Sequence, residues 1–282
     1  MSAMAEASPY IPELARIVDV FDETADISTF RMAFEDETYN ATYTFDSGQF
    51  CEVSVFGHGE ATFDTASSPS EKGFIEFTVK RVGKVTCALH ELGGGGQVGV
   101  RGPYGHGWPL HEWEGKNLIF IGGGVGLPPL RTCYNEVLHP DNRSRFGDVT
   151  IIYGARDPSQ LVYTREYDSY RQAERTQLHL TVDAGDDNWT GKVGFVPQLL
   201  DEVAPSPENA VALTVGPPIM IKFVLQGLSK LGFADEQIFT NLENRMKCGI
   251  GKCGRCNVGS KFVCTDGPVF SYAQLKQLPM DY

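Results

Sequence analysis

A chain of 282 residues, 41% hydrophobic and 21% charged, has the composition of a folded globular protein and the length of two domains with a small addition. Its net charge of −12 argues against nucleic acid as a partner, because a phosphate backbone demands a positive surface, and disfavours anionic membranes. No basic segment followed by an apolar run opens the chain, and the apolar stretch 118–129 is too short and too glycine-rich to span a bilayer, so neither a signal peptide nor a membrane span is expected and the cytoplasm is the expected location.

The Ala/Ser-rich start before Pro9 reads as unordered. Residues 15–21, 28–34, 50–56 and 74–82 are short alternating or β-branched runs, punctuated by Gly48, Gly57 and Gly59, and residues 99–100 lead into a turn at Gly102-Pro103. Short strands between turn signals predict a barrel or sandwich, with one short helix over 85–91 after Gly83. The pattern changes between Trp108 and Gly115. Strands are expected over 117–121, 149–153, 178–182, 210–215 and 237–241, and helices over 129–138, 163–173, 196–202 and 218–231. This alternation is that of a parallel α/β sheet. From Asn244 onward the chain fits neither pattern. It is short and rich in glycine and cysteine, and needs something other than a large core to fold. The expected fold is therefore a β-barrel over 10–112, an α/β nucleotide-binding domain over 113–242 and a cysteine-rich module over 243–282.

Of seven cysteines, Cys51, Cys87 and Cys133 are scattered and read as small core residues. The other four, Cys248, Cys253, Cys256 and Cys264, follow the spacing C-x4-C-x2-C-x7-C. Clustering of this kind in a cytosolic chain points to metal rather than disulfides. Plant-type [2Fe–2S] proteins use C-x4-C-x2-C with a more distant fourth cysteine. Four-cysteine zinc sites usually use two C-x2-C pairs, and only Cys253 and Cys256 form one here. Gly249, Gly251 and Gly254 would let amide N–H groups approach the cluster sulfurs.

A second motif is the run Gly122-Gly123-Gly124-Val125-Gly126-Leu127-Pro128-Pro129 directly after a predicted strand. A strand, a glycine-rich turn and a helix start make a phosphate-binding arrangement, although the match to G-x-G-x-x-G is incomplete. Tyr153-Gly154-Ala155-Arg156 and Val215-Gly216-Pro217-Pro218 end two further strands in the same way. Ligands of open α/β sheets sit beyond the carboxyl ends of the strands, so three glycine turns outline one cleft. The six histidines show no ligand spacing and read as structural or surface residues.

In this order, a barrel, GGGVGLPP, YGAR, VGPP and the cysteine segment resemble the ferredoxin–NADP reductase superfamily. More narrowly, the stretches 98–105, 242–256 and 263–270 are similar to members with a C-terminal [2Fe–2S] module. These are the gamma (diaphorase) subunits of soluble [NiFe] hydrogenases, or sulfhydrogenases, and the electron-transfer subunit of dihydroorotate dehydrogenase, with related chains in anaerobic sulfite reductase. The resemblance implies FAD in a Greek-key barrel, NAD(P) in the α/β domain and a [2Fe–2S] cluster on the four cysteines. It further implies a hetero-oligomer whose partner subunit, a hydrogenase with its own iron–sulfur relay, carries the terminal chemistry.

The implied FAD contacts are Phe63, Asp64, Thr65, Thr78, Val79, Lys80, Gly83, Val85 and Thr86. The implied nicotinamide-nucleotide contacts are Gly123, Gly124, Val125, Gly126, Leu127, Pro128, Gly154, Arg156, Gly216, Pro217 and Pro218. The sequence departs from the family's Arg-x-Tyr/Ile-Ser flavin motif, with Ala61 for the arginine and Asp64 for the serine, which leaves FMN or a flavin-free relay subunit as alternatives. Val215 stands where many relatives have cysteine. Arg156 would meet the 2′-phosphate of NADP and Asp183 the ribose hydroxyl of NAD. No acid–base dyad is required, since the cofactors supply the chemistry and flavin couples two-electron hydride to one-electron iron–sulfur transfer.

Overall fold

The computed structural model describes residues 8–279, so the start expected to lack order lies, apart from Ser8, outside the described residues. The first unit contains β1 (Glu13–Asp22), β2 (Ile27–Phe34), helix α1 (Glu37–Thr42), β3 (Phe50–Val55), β4 (Gly59–Asp64), β5 (Ile75–Lys80), helix α2 (Lys84–Leu92) and β6 (Gln97–Tyr104). The six strands form an antiparallel sheet in the order β4-β3-β6-β1-β2-β5, and its end strands β4 and β5 approach each other to close a barrel. Period-two alternation sends Phe30, Met32, Ile75, Phe77 and Val98 into a shared core with no exposed surface.

The second unit contains β7 (Asn117–Gly123), α3 (Pro128–Leu138), β8 (Val149–Ala155), α4 (Tyr167–Gln172), β9 (Thr176–Val182), β10 (Lys192–Val193), α5 (Val196–Val203), β11 (Ala210–Val215), α6 (Pro218–Lys230) and β12 (Ile238–Asn241). The strands are parallel in the order β10-β9-β8-β7-β11-β12. The central strand β7 is buried on both faces. Leu118 and Phe120 enter one core while Ile119 and Ile121 enter the other, which explains its unbroken apolar run.

The chain closes with the hairpin β13 (Asn257–Val258) and β14 (Lys261–Phe262), α7 (Val263–Asp266), β15 (Val269–Ser271) and α8 (Tyr272–Leu275). Strand β15 pairs antiparallel with β12, so the cysteine-rich segment adds a seventh strand to the α/β sheet. Its own small core, Leu242, Val263, Phe270 and Leu275, includes Phe50 of the barrel. It is thus packed against both larger units.

The helix expected over 163–173 begins only at Tyr167. Tyr163 is left-handed, with φ of 59°, and a 3-10 turn over Thr164–Glu166 separates it from α4. Cys51 and Cys133 are core residues as expected, while Cys87 is half-buried.

Candidate functional site

The strand order reverses at β7, which has β8 on one side and β11 on the other. A topological switch point opens a crevice at the carboxyl ends of such strands. The turns after β7, β8 and β11 converge there, as the sequence implied. Gly126 and Gly216 meet so closely that a Cβ on Gly126 would lie 2.6 Å from the Gly216 Cα. Gly124 has φ of +55°, and its carbonyl accepts a hydrogen bond of 3.2 Å from the Tyr153 hydroxyl. Pro128 and Pro218 occupy the first positions of α3 and α6, where no intrahelical partner is needed.

Val125, Pro217 and Pro218 face solvent, as does Ile219, which is 63% exposed, giving the crevice an apolar lip. Arg156 is exposed at the end of β8. Asp183 is exposed at the end of β9, next to it, and its amide donates to the Ala155 carbonyl at 2.9 Å. Burial raises the Asp183 carboxyl, against the opposing charge of Arg156.

On the barrel side, the residues implied as flavin contacts divide into two sets. Thr78 and Val79 are buried, and the Thr78 hydroxyl bonds to Thr29 and to the Tyr163 hydroxyl, so that side chain is already engaged within the protein. Lys80 lies 3.3 Å from Asp26. Thr65 is buried and donates to the Gln49 carbonyl. The second set is open. At the start of α2 the Thr86 hydroxyl accepts from the amides of Val82 and Gly83. The amides of Lys84, Val85 and Thr86 have no intrahelical acceptor there, and the exposed Lys84 stands beside them.

Asp64 ends β4, flanked by Phe63, and accepts from the Asn241 side chain at 3.2 Å where the barrel meets β12. It keeps some open surface yet lies deep among protein atoms. Burial and the charge of Glu243 push its carboxyl up to about 7, against the Asn241 hydrogen bond, so it exchanges a proton near neutrality.

Three buried arginines among the described residues escaped the sequence reading, and two of them, Arg131 and Arg101, bridge between units. Arg131 on α3 is 4% exposed and ties the α/β unit to the barrel, donating to the Ala66 carbonyl, to Glu76 of β5 and to Glu166. Arg101 on β6 is 6% exposed. It forks onto Glu60 of β4 and donates to the carbonyls of Lys247 and Cys248, each at 2.6 Å. It thereby fixes the start of the cysteine loop against the barrel. Beside it, the Tyr104 ring packs so close to Gly249 (φ +73°) that a Cβ there would lie 2.6 Å from the ring. No local pattern marks such residues, because their partners are distant in sequence.

The cysteine loop folds back on itself. The Gly251 amide donates to the Cys264 sulfur at 3.1 Å and the Cys253 amide to the Cys248 sulfur at 3.4 Å. The side chains of Cys248 and Cys253 are neighbours, and so are those of Cys256 and Cys264. Burial alone would raise the Cys248 thiol, but the amides of Ile250, Cys253 and Lys252 reverse this and lower it to about 6. Burial and contact with Cys256 raise the Cys264 thiol. Cys248, Cys256 and Cys264 are buried and Cys253 is exposed. Among the described residues, no three His, Cys, Asp or Glu side chains converge closely enough to hold a single metal ion.

A cavity of about 1060 Å³ lies elsewhere, between the barrel, the 3-10 turn Leu110–Trp113 and the last strands, and none of the nucleotide or flavin candidates lines it. Among the described residues no helix is long and apolar enough to cross a membrane.

Comparison with known proteins agrees with this layout. Residues 15–108 match the family described as oxidoreductase FAD-binding domain and residues 120–226 the oxidoreductase NAD-binding domain. Residues 243–276 match the iron–sulfur cluster binding domain of dihydroorotate dehydrogenase B. The chain is 38% identical to sulfhydrogenase 1 subunit gamma of Pyrococcus furiosus, over 98% of this chain and 96% of that one. It is 34% identical to a probable dihydroorotate dehydrogenase B (NAD(+)) electron transfer subunit of Thermococcus kodakarensis, over 92% and 96%. Among solved structures, the NADH-dependent reduced ferredoxin-NADP oxidoreductase studied for flavin-based electron bifurcation superposes with a TM-score of 0.73 at 25% identity, over 99% of this chain and 91% of that one. The match to an FAD-binding family holds despite Ala61 and Asp64 in the flavin motif. With a barrel of that family, a sheet of the NAD-binding family and the iron–sulfur domain all in one chain, the protein belongs to the ferredoxin–NADP reductase-like, NAD(P)H-dependent flavin and iron–sulfur oxidoreductases that include the sulfhydrogenase gamma and dihydroorotate dehydrogenase B electron-transfer subunits.

Proposed function

We propose that Cys248, Cys253, Cys256 and Cys264 hold a [2Fe–2S] cluster, that the barrel holds FAD with its pyrophosphate at the start of α2, and that the three glycine turns hold NAD(P)(H). The division into units 10–112, 113–242 and 243–282 follows these three roles. The observation that carries the reading is that one loop turns its amides onto two of the four sulfurs, Gly251 onto Cys264 and Cys253 onto Cys248. With the C-x4-C-x2-C spacing, that suits a [2Fe–2S] cluster better than a four-cysteine zinc site built from two C-x2-C pairs. Amides aimed at the sulfurs favour bound thiolate and tune the site. On the barrel, the amides at the start of α2 and Lys84 form a cradle for phosphate, in place of the family arginine missing at Ala61.

A flavin held in the barrel would supply the coupling between two-electron hydride chemistry and one-electron iron–sulfur transfer. The chain's own residues orient and shield. Gly124, Val125 and Gly126 offer backbone to a pyrophosphate, and Gly154 and Gly216 leave room beside it. Leu127 and Met220 close the back of the turn against Gly122 and Gly123. Arg156 supports NADP(H) by meeting its 2′-phosphate.

Anaerobic titration of the purified chain with NADPH and then NADH should bleach a flavin and raise a reduced [2Fe–2S] EPR signal, with NADPH effective at lower concentration. Arg156→Gln should remove that preference while leaving NADH untouched. Reduction of the cluster by dithionite but by neither nucleotide, with no flavin released on denaturation, would instead identify a flavin-free relay.

The Arg101 latch gives a second expectation. Arg101→Gln breaks the fork to Glu60 and loosens both loop carbonyls, each a charge-assisted bond of roughly 1.5–3 kcal/mol. Visible absorbance of the cluster should decay at least about tenfold faster in air or chelator. Lysine should rescue poorly, because a point charge cannot satisfy the forked set.

The electron acceptor or donor is a catalytic subunit of the same assembly, and we assign it as a soluble [NiFe] hydrogenase. The higher identity to a sulfhydrogenase gamma subunit than to dihydroorotate dehydrogenase subunits supports this. The native complex should couple H2 oxidation to NAD(P) reduction; coupling to dihydroorotate instead would reassign it.

A further inference from the structure

We infer that the exposed edge of the cysteine loop is an electron-transfer docking face for a partner protein with an acidic surface. This rests on the cluster assignment above and adds the chemistry of the partner. The chain carries a net charge of −12, yet residues 244–264 contain Arg245, Lys247, Lys252, Arg255 and Lys261 and no aspartate or glutamate. Lys261 is paired with Asp266 at 2.9 Å. The other four are exposed, and none of them forms an ion pair among the described residues. Lys252 adjoins Cys253 directly and Arg255 follows two residues on. Cys253 is the exposed member of the four cysteines, whereas Cys248, Cys256 and Cys264 are 6%, 2% and 1% exposed. The point where an electron leaves the protein most easily is therefore flanked along the chain by Lys252 and Arg255, cations without an ion pair among the described residues, on an otherwise acidic molecule.

Two physical consequences follow. Long-range repulsion between an acidic chain and an acidic partner rejects most encounter orientations, while the exposed cations of this segment attract the one that brings the partner to Cys253. Guanidinium and ammonium groups without internal partners also have donors free for carboxylates across an interface. The competing role for the same cations is to offset the negative charge that four thiolates give an iron–sulfur cluster. The two roles differ in what they move. Charge compensation sets the cluster potential, whereas docking sets the salt dependence of bimolecular transfer.

The test uses the whole chain, reduced anaerobically, mixed in stopped flow with two ferric acceptors, acidic cytochrome b5 and basic cytochrome c. Each transfer oxidises the chain by one electron and reduces one ferric haem to ferrous. Ionic strength is raised from about 0.01 M to about 0.1 M, which shortens the screening length from roughly 30 Å to roughly 10 Å. At low salt the rate with cytochrome b5 should be at least about tenfold slower in the variant K247E/K252E/R255E than in the wild-type chain, the cytochrome c rate should rise, and the difference between variant and wild type should shrink as salt is raised over that range, whatever the shared net charge does to both rates. The milder K252Q/R255Q pair should lie between, which guards against a misfolded loop. Unchanged rates and salt slopes for both acceptors in variants with full cluster content would overturn the docking face. So would a shifted midpoint potential with unchanged salt slopes, which would assign the cations to charge compensation. Absence of a [2Fe–2S] EPR signal in the wild-type chain would sink the cluster assignment itself.

Discussion

Replacing Arg131 by leucine should destabilise the folded chain by about 3–5 kcal/mol, the cost of stranding a buried charge partner. The guanidinium donates to Glu76 at 2.8 Å, to both Glu166 oxygens at 2.8 and 2.7 Å and to the Ala66 carbonyl at 2.6 Å, with the Tyr163 ring 4.6 Å away. Glu76 is 1% exposed and retains Arg31 at 2.8 Å, and Glu166 retains Arg165 at 3.2 Å, so neither carboxylate is left wholly unpaired and the loss lies toward the lower end of that range. These contacts join α3 to the barrel, and the variant should therefore weaken the alignment of the two units as well as their stability. A lowered urea midpoint checks the first effect, and slower reduction by NAD(P)H with dithionite reduction intact checks the second. Lysine should recover only part, since it lacks the fork.

The same network has a pH signature. Although burial would raise the Glu166 carboxyl, the Arg131 hydrogen bonds and charge, with Tyr170 and Arg165, hold it below the ordinary value of 4.5. A carboxyl lowered on folding stabilises above its unfolded pKa and loses that contribution as pH falls through the folded one. Wild-type stability should thus drop as pH falls below about 4.5, and the leucine variant should lose less over the same range.

Replacing Gly126 by alanine should cut NAD(P)H-dependent reduction by roughly 100-fold, the scale expected when reacting groups shift by about an ångström. The new Cβ would meet the Gly216 Cα at 2.6 Å, the Gly216 amide at 2.7 Å and the Val215 carbonyl carbon at 2.8 Å. All three are backbone atoms, so no rotamer change relieves the clash, and the turns after β7 and β11 must separate. Dithionite should still reduce the cluster fully. Gly115→Ala, at the opposite end of β7 from the crevice, is the control. Its Cβ meets nothing within 4 Å, so only the left-handed backbone opposes it, at about 1 kcal/mol, and activity should change much less. Equal losses in the two variants would show that the approach of Gly126 to Gly216 does not shape the nucleotide crevice.

Sequence alone determined the features that rest on local periodicity and covalent spacing. Alternating apolar positions located β1, β2, β3 and β5, and continuous apolar runs located β7, β8 and β11, because burial on one face or two leaves those signatures. The glycine run after β7 and the C-x4-C-x2-C-x7-C segment carried their chemistry in the residues themselves.

Tertiary structure decided the rest. Strand β4 is half-buried and has no clear alternation, and β15 has three residues, so each is a strand only because β3 and β12 supply its hydrogen-bond partners. Helix α1 buries none of its residues and is held by the Asp36 cap, so it leaves no apolar stripe to read. Tyr163 takes a left-handed backbone where its hydroxyl meets Thr78 of the barrel, which delays α4. Arg101 reaches Cys248 across 147 positions and Arg131 reaches Glu76 across 55, and a buried charge has no meaning in sequence until its partner is known. Local pattern thus places elements and motifs, but the side chains that lock the three units together are fixed by contacts that exist only once the chain has folded.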